Sequence, residues 1–221
     1  MSKQLLIFDL DGTLIDSVPD IAEATNAMLT ELGLQTFGVN DVRHWVGNGS
    51  RKLIERALRC AKDAEPTTAQ VDEAQALFFE QYAKQTALYT TAYKGVSEGL
   101  KQLKDHGYTM ALATNKPYRY VPTILDFFGW TDFFAISLGG DSFSEKKPNP
   151  VALNHVCEQL NIPVENSYMI GDSLNDIYAG QNAGMDTIGL SYGYNYGQDI
   201  RDFNPTHVFD TFGEMVEFLL K

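Results

Sequence analysis

Two carboxylates stand two residues apart where a short apolar run, Leu5–Phe8, gives way to Asp9 and Asp11. While the backbone stays extended, both side chains can lean to the same side of the chain. Two such charges about 4 Å apart repel by roughly 4 kcal/mol at an effective dielectric near 20, so the pair implies a bound cation. A hard divalent ion such as Mg2+ takes oxygen ligands and would leave positions for a phosphate. The plainer interpretation is that Asp11 and Gly12 form only an exposed turn.

The residues around this pair suit a ligand crevice. Gly12 lets the chain turn away sharply where a bulky anion would approach, and the Thr13 hydroxyl can bond to a nearby carboxylate or backbone group. The run Leu5–Phe8 is too short for a helix and lacks polar alternation, which favours a strand buried on both faces of a parallel sheet. Loops at the carboxyl ends of parallel strands form the ligand crevice, so we expect Asp9 and Asp11 to line it.

From Tyr93 onward, helical and strand-like patterns alternate along the sequence. The predicted strands in this part are 108–113, 134–138, 168–170, 187–190 and 207–209. This alternation predicts an α/β fold with a doubly wound, Rossmann-like parallel sheet. Residues 17–89 instead show helical patterns with no strand between them, and we call them the helical insertion. We expect a core domain of residues 1–16 and 90–221, and a smaller all-helical cap domain of residues 17–89.

The ends of the first four predicted strands of the sheet carry residues that are useful in phosphoryl transfer. In chain order they are Asp9 and Asp11, then Thr114 and Asn115, then Lys147, then Asp172. Each of the later residues, taken alone, has a common structural explanation. A threonine often ends a strand, paired lysines often lie in solvated loops, and an aspartate often caps a helix. Together with the first pair they predict one site at one edge of the sheet.

These motifs, in this order, resemble those of the haloacid dehalogenase-like superfamily, most of whose members are phosphatases. The matching stretches are Asp9-Leu10-Asp11-Gly12-Thr13-Leu14, Thr114, Lys147-Pro148 and Gly171-Asp172-Ser173-Leu174-Asn175-Asp176. The helical insertion between the first and second motifs is similar to the superfamily's helical cap class, whose substrates are small. Further stretches resemble the phosphoglycolate phosphatases within that class: Trp45–Gly49, Thr114–Pro117, Gly139–Asp141, Lys146–Pro148 and Ser191–Gly197. One departure is Lys94, where many relatives have proline.

The resemblance implies Mg2+-dependent hydrolysis of a small phosphomonoester, with 2-phosphoglycolate as the expected substrate, through an aspartyl phosphate. Asp9 needs no base to attack phosphorus because it is ionised at neutral pH. The implied catalytic residues are Asp9 as nucleophile, Asp11 as general acid and base, Thr114 and Lys147. The implied metal ligands are Asp9, Asp11 through its carbonyl, Asp172 and Asp176. Thr13 and Asn115 are expected to bind the substrate, and Pro148 favours Lys147 over Lys146 because the family's lysine precedes proline.

The first turn of the third predicted helix is the part of the helical insertion expected to reach the crevice. Glycines at 47 and 49 let the backbone approach closely, and helix N–H groups with Arg51 favour an anion. We therefore expect Gly49, Ser50 and Arg51 to bind the far end of the substrate, although a plain turn with Arg51 in solvent is an alternative. Earlier, Ser17 and Asp20 have the spacing of a helix capping box.

Other functions fit parts of the pattern. A nucleotidase, a pyrophosphatase, a sugar phosphatase or a phosphomutase would share the same motifs. A receiver-type phospho-acceptor domain, which is not an enzyme, also places an aspartate on a doubly wound sheet, but it lacks a cap. The long helical insertion and the second aspartate, Asp11, argue against simple storage of a phosphoryl group.

The composition bounds the remaining choices. The 221 residues carry a formal charge of −12, which argues against nucleic acid or an anionic membrane as the main partner. Cys60 and Cys157 lie far apart and in no CxxC pair, so reduced thiols in a cytoplasmic protein are expected. No apolar run approaches the length of a membrane span. The expected partner is a small phosphomonoester, and the protein is expected to be a monomer or a homodimer.

Overall fold

The computed structural model describes residues 3–221. Its strands are β1 (Leu5–Phe8), β2 (Ile15–Asp16), β3 (Thr91–Ala92), β4 (Thr109–Ala113), β5 (Ile136–Leu138), β6 (Ser167–Gly171), β7 (Asp186–Leu190) and β8 (His207–Phe209). Six of them form one sheet in the order β5-β4-β1-β6-β7-β8, and every neighbouring pair is parallel. This order runs outward in both directions from β1, so the predicted doubly wound α/β fold is confirmed.

Helices cover both faces of this sheet. They are α1 (Val18–Glu31), α2 (Val39–Arg43), α3 (Ser50–Lys62), α4 (Thr68–Gln85), α5 (Val96–Asp105), α6 (Val121–Phe127), α7 (Val151–Leu160), α8 (Leu174–Ala183) and α9 (Phe212–Leu219). Leu6 and Phe8 share an apolar cluster with α5, α6 and α9, whereas Leu5 and Ile7 share one with α7 and α8. Because successive side chains of a strand point to opposite faces, an unbroken apolar run is what a doubly covered central strand requires.

The helical insertion contains α1 to α4, and the structure describes no strand between these helices. Helix α1 packs against α4, α2 and α3. The short strands β2 and β3 pair antiparallel, with Ile15 opposite Ala92 and Asp16 opposite Thr91. The chain therefore leaves and rejoins the sheet side by side, at a two-stranded connection that the sequence pattern did not predict.

The start of α1 differs from the predicted capping box. Ser17 precedes the helix, but its side chain caps no backbone N–H and instead donates to Oδ1 of Asp11. The Asp20 carboxylate is fully buried and accepts hydrogen bonds from the backbone of Tyr89 and Thr90. The predicted cap was wrong because both side chains have stronger partners outside the helix. Within residues 3–221, no helix has both the length and the apolar character to cross a bilayer.

Candidate active site

The carboxyl ends of β1, β4 and β6 meet at one edge of the sheet. Strand β1 lies between β4 and β6, and the chain crosses away from it in opposite directions on its two sides. Asp9, Thr114 and Asp172 each follow directly after one of these strands, and Lys147 lies on the segment that leads into α7. This is the topological switch point at which open α/β sheets bind their ligands.

Three carboxylates converge at this edge. One oxygen from each of Asp9, Asp172 and Asp176 lies within 4.8 Å of the others, and all three side chains are buried. Burial is the largest cause that raises the pKa of Asp172 well above its usual range, and repulsion by Asp176 and Asp9 adds to the shift. A cluster of this kind binds a cation when it is ionised, because three buried negative charges are otherwise costly.

The acidic cluster is held by surrounding donors. Thr13 donates its hydroxyl proton to Oδ1 of Asp172 over 2.7 Å, and the backbone N–H of Tyr194 donates to Oδ2 over 2.8 Å. Asp176 belongs to the first turn of α8, where its Oδ2 accepts from the N–H and the hydroxyl of Ser173. Both carboxylates are therefore fixed in orientation by groups that lie close to them.

Three glycines leave room for these carboxylates. A Cβ added at Gly12 would lie 2.2 Å from Oδ2 of Asp172, and one at Gly193 would lie 2.1 Å from the Cβ of the same residue. A Cβ added at Gly171 would lie 2.2 Å from Cγ of Asp176. Gly12 also has a φ of +89°, which L-residues with a side chain rarely adopt. Backbone thus forms the wall of the acidic cluster on several sides.

Lys147 supplies a positive charge between two of the carboxylates. Its amine lies 2.6 Å from Oδ1 of Asp176 and 3.0 Å from Oδ1 of Asp9. Burial tends to lower the pKa of this ammonium, but attraction by Asp176 and Asp9 outweighs burial and the pKa is raised. Lys147 therefore remains charged at neutral pH. Its sequence neighbour Lys146 is exposed.

Asp9 keeps an incompletely satisfied oxygen. The Lys147 amine is near its Oδ1 but is not aligned for a hydrogen bond, and no donor among the described residues bonds to that oxygen. Burial raises the pKa of Asp9 to about 6, with Lys147 opposing the shift and Asp176 and Asp11 adding to it. A buried carboxylate oxygen without a donor is available to a metal ion or a reacting group.

Asp11 has a different set of partners from Asp9. The Lys116 amine donates to both of its carboxylate oxygens, over 3.0 and 3.2 Å, and Ser17 donates its hydroxyl proton to Oδ1. Burial tends to lower the pKa of Lys116, but attraction by Asp11 outweighs burial and the pKa is raised. The two aspartates of the first motif thus each face their own lysine, and their carboxylates have separate environments.

A pocket opens between these carboxylates and the helical insertion. Asp9, Asp11, Thr114, Asn115 and Lys116 line the side formed by the sheet. The opposite side is mainly apolar and is lined by Ile21, Val46, Gly47, Gly49, Ser50, Leu53, Phe78, Phe79 and Tyr82. Pro117 and Tyr120 complete the lining. A ligand that reaches Asp9 therefore contacts residues from both the sheet and the helical insertion.

The structure places several predicted binding residues at this pocket. The hydroxyl oxygen of Thr114 accepts from the N–H of Lys116, which leaves its own proton free to donate. Asn115 bonds to the carbonyl of Gly47 and to the backbone of Lys147, so its side chain holds two loops together. The hydroxyl oxygen of Ser50 accepts from Gln75 over 3.1 Å within the helical insertion. Thr13 lies beside the acidic cluster through its bond to Asp172.

Arg51 is not brought to the pocket. Its guanidinium pairs with Asp72 over 2.6 Å, and its Nε lies 3.7 Å from Glu55. Because these carboxylates belong to the helical insertion itself, they hold the arginine on the outer surface of α3 and α4. The expectation that Arg51 reads the far end of a substrate is therefore corrected, although the neighbouring Gly49 and Ser50 do line the pocket.

Four residues of the site were not singled out from the sequence as individual site residues. They are Lys116, Tyr82, Asn175 and Tyr194. Lys116 had a signal, because a charged residue in the loop just beyond a strand end at the switch point is well placed for a ligand. Tyr82 lies on the apolar face of α4 and resembles an ordinary core residue, so the sequence pattern gives no sign that its hydroxyl reaches a pocket.

The donor set fits a hard divalent cation. Asp9, Asp172 and Asp176 offer only oxygen ligands, and the Lys147 ammonium pairs with two of these three carboxylates, Asp9 and Asp176. The unsatisfied Oδ1 of Asp9 and the backbone wall at Gly12 support the same conclusion. The carboxylate of Asp11 is not part of this cluster, so a metal contact from Asp11 would have to come from its carbonyl.

Comparison with known proteins gives matches over nearly the whole chain. A family model for haloacid dehalogenase-like hydrolases matches residues 6–190. The phosphoglycolate phosphatase of Psychrobacter arcticus is 58% identical over 224 residues, which cover 100% of this chain and 97% of that protein. The phosphoglycolate phosphatase of Colwellia psychrerythraea is 43% identical, covering 97% and 96% of the two chains. A crystal structure described as a predicted phosphoglycolate phosphatase from Haemophilus somnus has a TM-score of 0.93 at 35% identity, over 99% of this chain and 98% of that chain.

Proposed function

Because this chain belongs to the haloacid dehalogenase-like hydrolase family, we propose that it hydrolyses a small phosphomonoester, 2-phosphoglycolate, to glycolate and inorganic phosphate. The observation that carries the proposal is the pair of carboxylates formed by the buried Asp9 and the partly buried Asp11, each facing its own lysine at the base of a largely apolar pocket. Relatives of 58% and 43% identity that are named phosphoglycolate phosphatase support this choice of substrate.

Asp9 is the proposed nucleophile. Its carboxylate attacks phosphorus, the bond from phosphorus to the ester oxygen breaks, and an aspartyl phosphate forms on Asp9. Asp11 donates a proton to the departing alkoxide and later removes one from the water that hydrolyses the aspartyl phosphate. Such acid and base catalysis contributes roughly two to four orders of magnitude in rate.

Lys147 and Thr114 are the proposed stabilisers of the transferring phosphoryl group. Charge spreads over its equatorial oxygens in the transition state, and fixed donors that are already in place stabilise that charge without reorganising. The ammonium of Lys147 is buried next to Asp9, and the Thr114 hydroxyl proton is free to donate. Both groups therefore support the transfer at the carboxyl edge of the sheet.

Mg2+ is the proposed cofactor, held by Asp9, Asp172, Asp176 and the carbonyl of Asp11. When bound, the ion supplies positive charge that offsets the repulsion between the Asp9 carboxylate and the phosphate. The close approach of three buried carboxylates supports this assignment. Thr13 and the backbone of Tyr194 then serve to orient Asp172 toward the ion.

We also propose that residues 17–89 act as a cap over a core made of residues 1–16 and 90–221. The pocket is lined from both parts, which supports a cap that closes over bound substrate and excludes water. The free thiols of Cys60 and Cys157 are compatible with a reducing cytoplasm.

Phosphate release from a panel of phosphomonoesters, with Mg2+ or with chelator, tests this function. We expect the highest kcat/KM for 2-phosphoglycolate, loss of activity in chelator, and loss of turnover by roughly four orders of magnitude in Asp9→Ala. A preference for nucleotides or sugar phosphates would contradict the substrate. Activity that survives chelation or the Asp9 substitution would contradict the mechanism.

A further inference from the structure

We propose that Lys116 and the hydroxyl of Tyr82 bind the carboxylate of the substrate, and so select phosphoesters that carry an acid group one carbon from the ester oxygen. This inference rests on the proposed function and assigns a specificity site within it. In the proposed mechanism Asp9, Lys147 and Thr114 all contact the phosphate. Other residues must therefore bind the other end of a two-carbon substrate.

Lys116 is the basic side chain of this pocket. Among the described residues that line it, no other lysine, arginine or histidine is present. The cation that the sequence pattern favoured, Arg51, is held outside by Asp72 and Glu55. Lys147, beside Asp9, is given to the phosphate, and the Lys146 amine lies beside Gly49. Among the lining residues, the ammonium group that remains for a carboxylate is that of Lys116, three residues beyond β4.

Lys116 lies at the right distance for such a carboxylate. As the general acid, Asp11 must come within about 2.6 to 3.2 Å of the ester oxygen. The Lys116 amine is 3.0 and 3.2 Å from the two oxygens of Asp11. The carboxyl carbon of 2-phosphoglycolate lies two bonds beyond the ester oxygen, so its oxygens fall within reach of the same amine. An ammonium group has three N–H donors, so Lys116 can pair with Asp11 and with a second carboxylate together.

Tyr82 supplies a second donor at the same place. Its side chain is 2% exposed, yet its hydroxyl has no hydrogen-bond partner among the described residues. The Lys116 amine lies 4.9 Å from the centre of its ring. Burial raises the pKa of Tyr82 to about 12 despite the nearby Lys116, so the hydroxyl keeps its proton. A buried hydroxyl without a partner, beside an ammonium, is satisfied by an anionic oxygen.

The rest of the pocket wall offers little to a larger polar substrate. Ile21, Val46, Leu53 and Phe78 line it from the helical insertion. The hydroxyl groups of a sugar or a nucleoside that lie against these four side chains would have no partners there, which costs free energy, and Ser50 is the hydroxyl side chain that the helical insertion contributes to the lining. The wall therefore favours a short substrate whose polar groups are confined to its two ends.

The assignment is tested with two substrates of equal length, 2-phosphoglycolate and 2-hydroxyethyl phosphate. In the second, a neutral alcohol replaces the carboxylic acid. The readout is the ratio of their kcat/KM values, because any effect of Lys116 on Asp11 lowers both and cancels in the ratio. We expect Tyr82→Phe to lower the ratio by about 10-fold, mainly by raising KM for 2-phosphoglycolate. We expect Lys116→Met to lower it by about 100-fold. If Lys116→Met does not fold, Tyr82→Phe decides the test by itself.

Arg51→Met is the matched control, because it removes a cation that lies outside the pocket, and its ratio should stay within about twofold of the wild type. A ratio that both Lys116→Met and Tyr82→Phe leave unchanged would overturn the inference while the proposed function stands. Collapse of the ratio in Arg51→Met alone would also overturn it. A wild type that shows no preference for 2-phosphoglycolate would instead overturn the proposed substrate.

Discussion

The carboxylate of Asp9 is buried beside two other carboxylates, and one of its oxygens has no hydrogen-bond donor among residues 3–221. Burial and the neighbouring Asp176 and Asp11 raise its pKa to about 6 against the attraction of Lys147. In the absence of a metal ion, the ionised carboxylate therefore destabilises the folded protein at neutral pH. The arrangement that suits the proposed nucleophile and metal ligand thus carries a cost in stability.

Replacing Asp9 by asparagine should stabilise the metal-free protein. Because the folded state holds the Asp9 proton more tightly than the unfolded state does, the wild type loses stability as the pH rises from about 4 through about 6. An asparagine side chain cannot titrate, so Asp9→Asn should gain roughly 1–3 kcal/mol relative to the wild type by pH 8 and little at pH 4. Urea unfolding in chelator at these two pH values measures the difference.

The control for this measurement is Asp126→Asn, which removes an exposed carboxylate from α6 and should change stability by less than about 0.5 kcal/mol. Added Mg2+ should stabilise the wild type more than Asp9→Asn, because the variant lacks a metal ligand. The interpretation fails if Asp9→Asn is less stable than the wild type at pH 8 in chelator.

Lys147 and Lys146 are adjacent in sequence but differ in their surroundings. Lys147 is buried between Asp9 and Asp176, whereas Lys146 is exposed. Lys147→Met should lower kcat/KM for 2-phosphoglycolate by about 10- to 100-fold or more, because a charge-assisted contact to phosphate is lost. Lys146→Met should change it by less than about threefold. Steady-state kinetics of the two variants provide the test, and equal losses would contradict the role given to Lys147.

At the level of secondary structure, one buried carboxylate joins α1 to the residues just before β3. Asp20 accepts from the backbone N–H groups of Tyr89 and Thr90 over 2.7 and 3.0 Å, and from the Thr90 hydroxyl. These acceptors satisfy backbone donors just before β3, where the chain returns to the sheet. The first and last segments of the helical insertion are therefore fastened to each other.

Removing this carboxylate should destabilise the fold. Asp20→Ala leaves the N–H and hydroxyl of the buried Thr90, and the partly buried N–H of Tyr89, without their acceptor, so the free energy of unfolding should fall by roughly 2–4 kcal/mol. Urea unfolding is the measurement, and Glu23→Ala, which removes an exposed carboxylate from the same helix, is the control. A loss no larger than that of Glu23→Ala would show that these hydrogen bonds contribute little.

At the level of the whole molecule, the fold followed from local patterns in the sequence. The apolar run Leu5–Phe8 and the later alternation of strands and helices are encoded within short stretches, so the parallel sheet could be predicted. The short connection formed by β2 and β3 could not, because the paired residues Ile15 and Ala92 lie far apart in the sequence and neither stretch has a strand pattern of its own. Tertiary contacts, rather than local strand preference, determine that β2 and β3 form.

Local sequence patterns also predicted only part of the candidate active site. Side chains that follow a strand end, such as Asp9 and Asp172, could be placed at one edge from topology alone, and their catalytic and metal-binding roles stay predictions. The position of the Arg51 side chain could not be predicted. Its partner Asp72 lies on another helix, and helical periodicity does not show which residues of two helices contact each other. The meeting of Tyr82 with Lys116 likewise depends on how α4 packs over the sheet.

The central position of β1 has a consequence for synthesis on the ribosome. This strand is made before the five other strands of its sheet, and its neighbours β4 and β6 begin only at Thr109 and Ser167. At roughly 5–20 residues per second, about 10 to 30 s pass between the emergence of Leu5–Phe8 and that of its second partner. During this interval a fully apolar segment has no sheet to join. We therefore expect the nascent chain to need protection from aggregation, for example by a chaperone that binds extended apolar segments, until most of the protein has been translated.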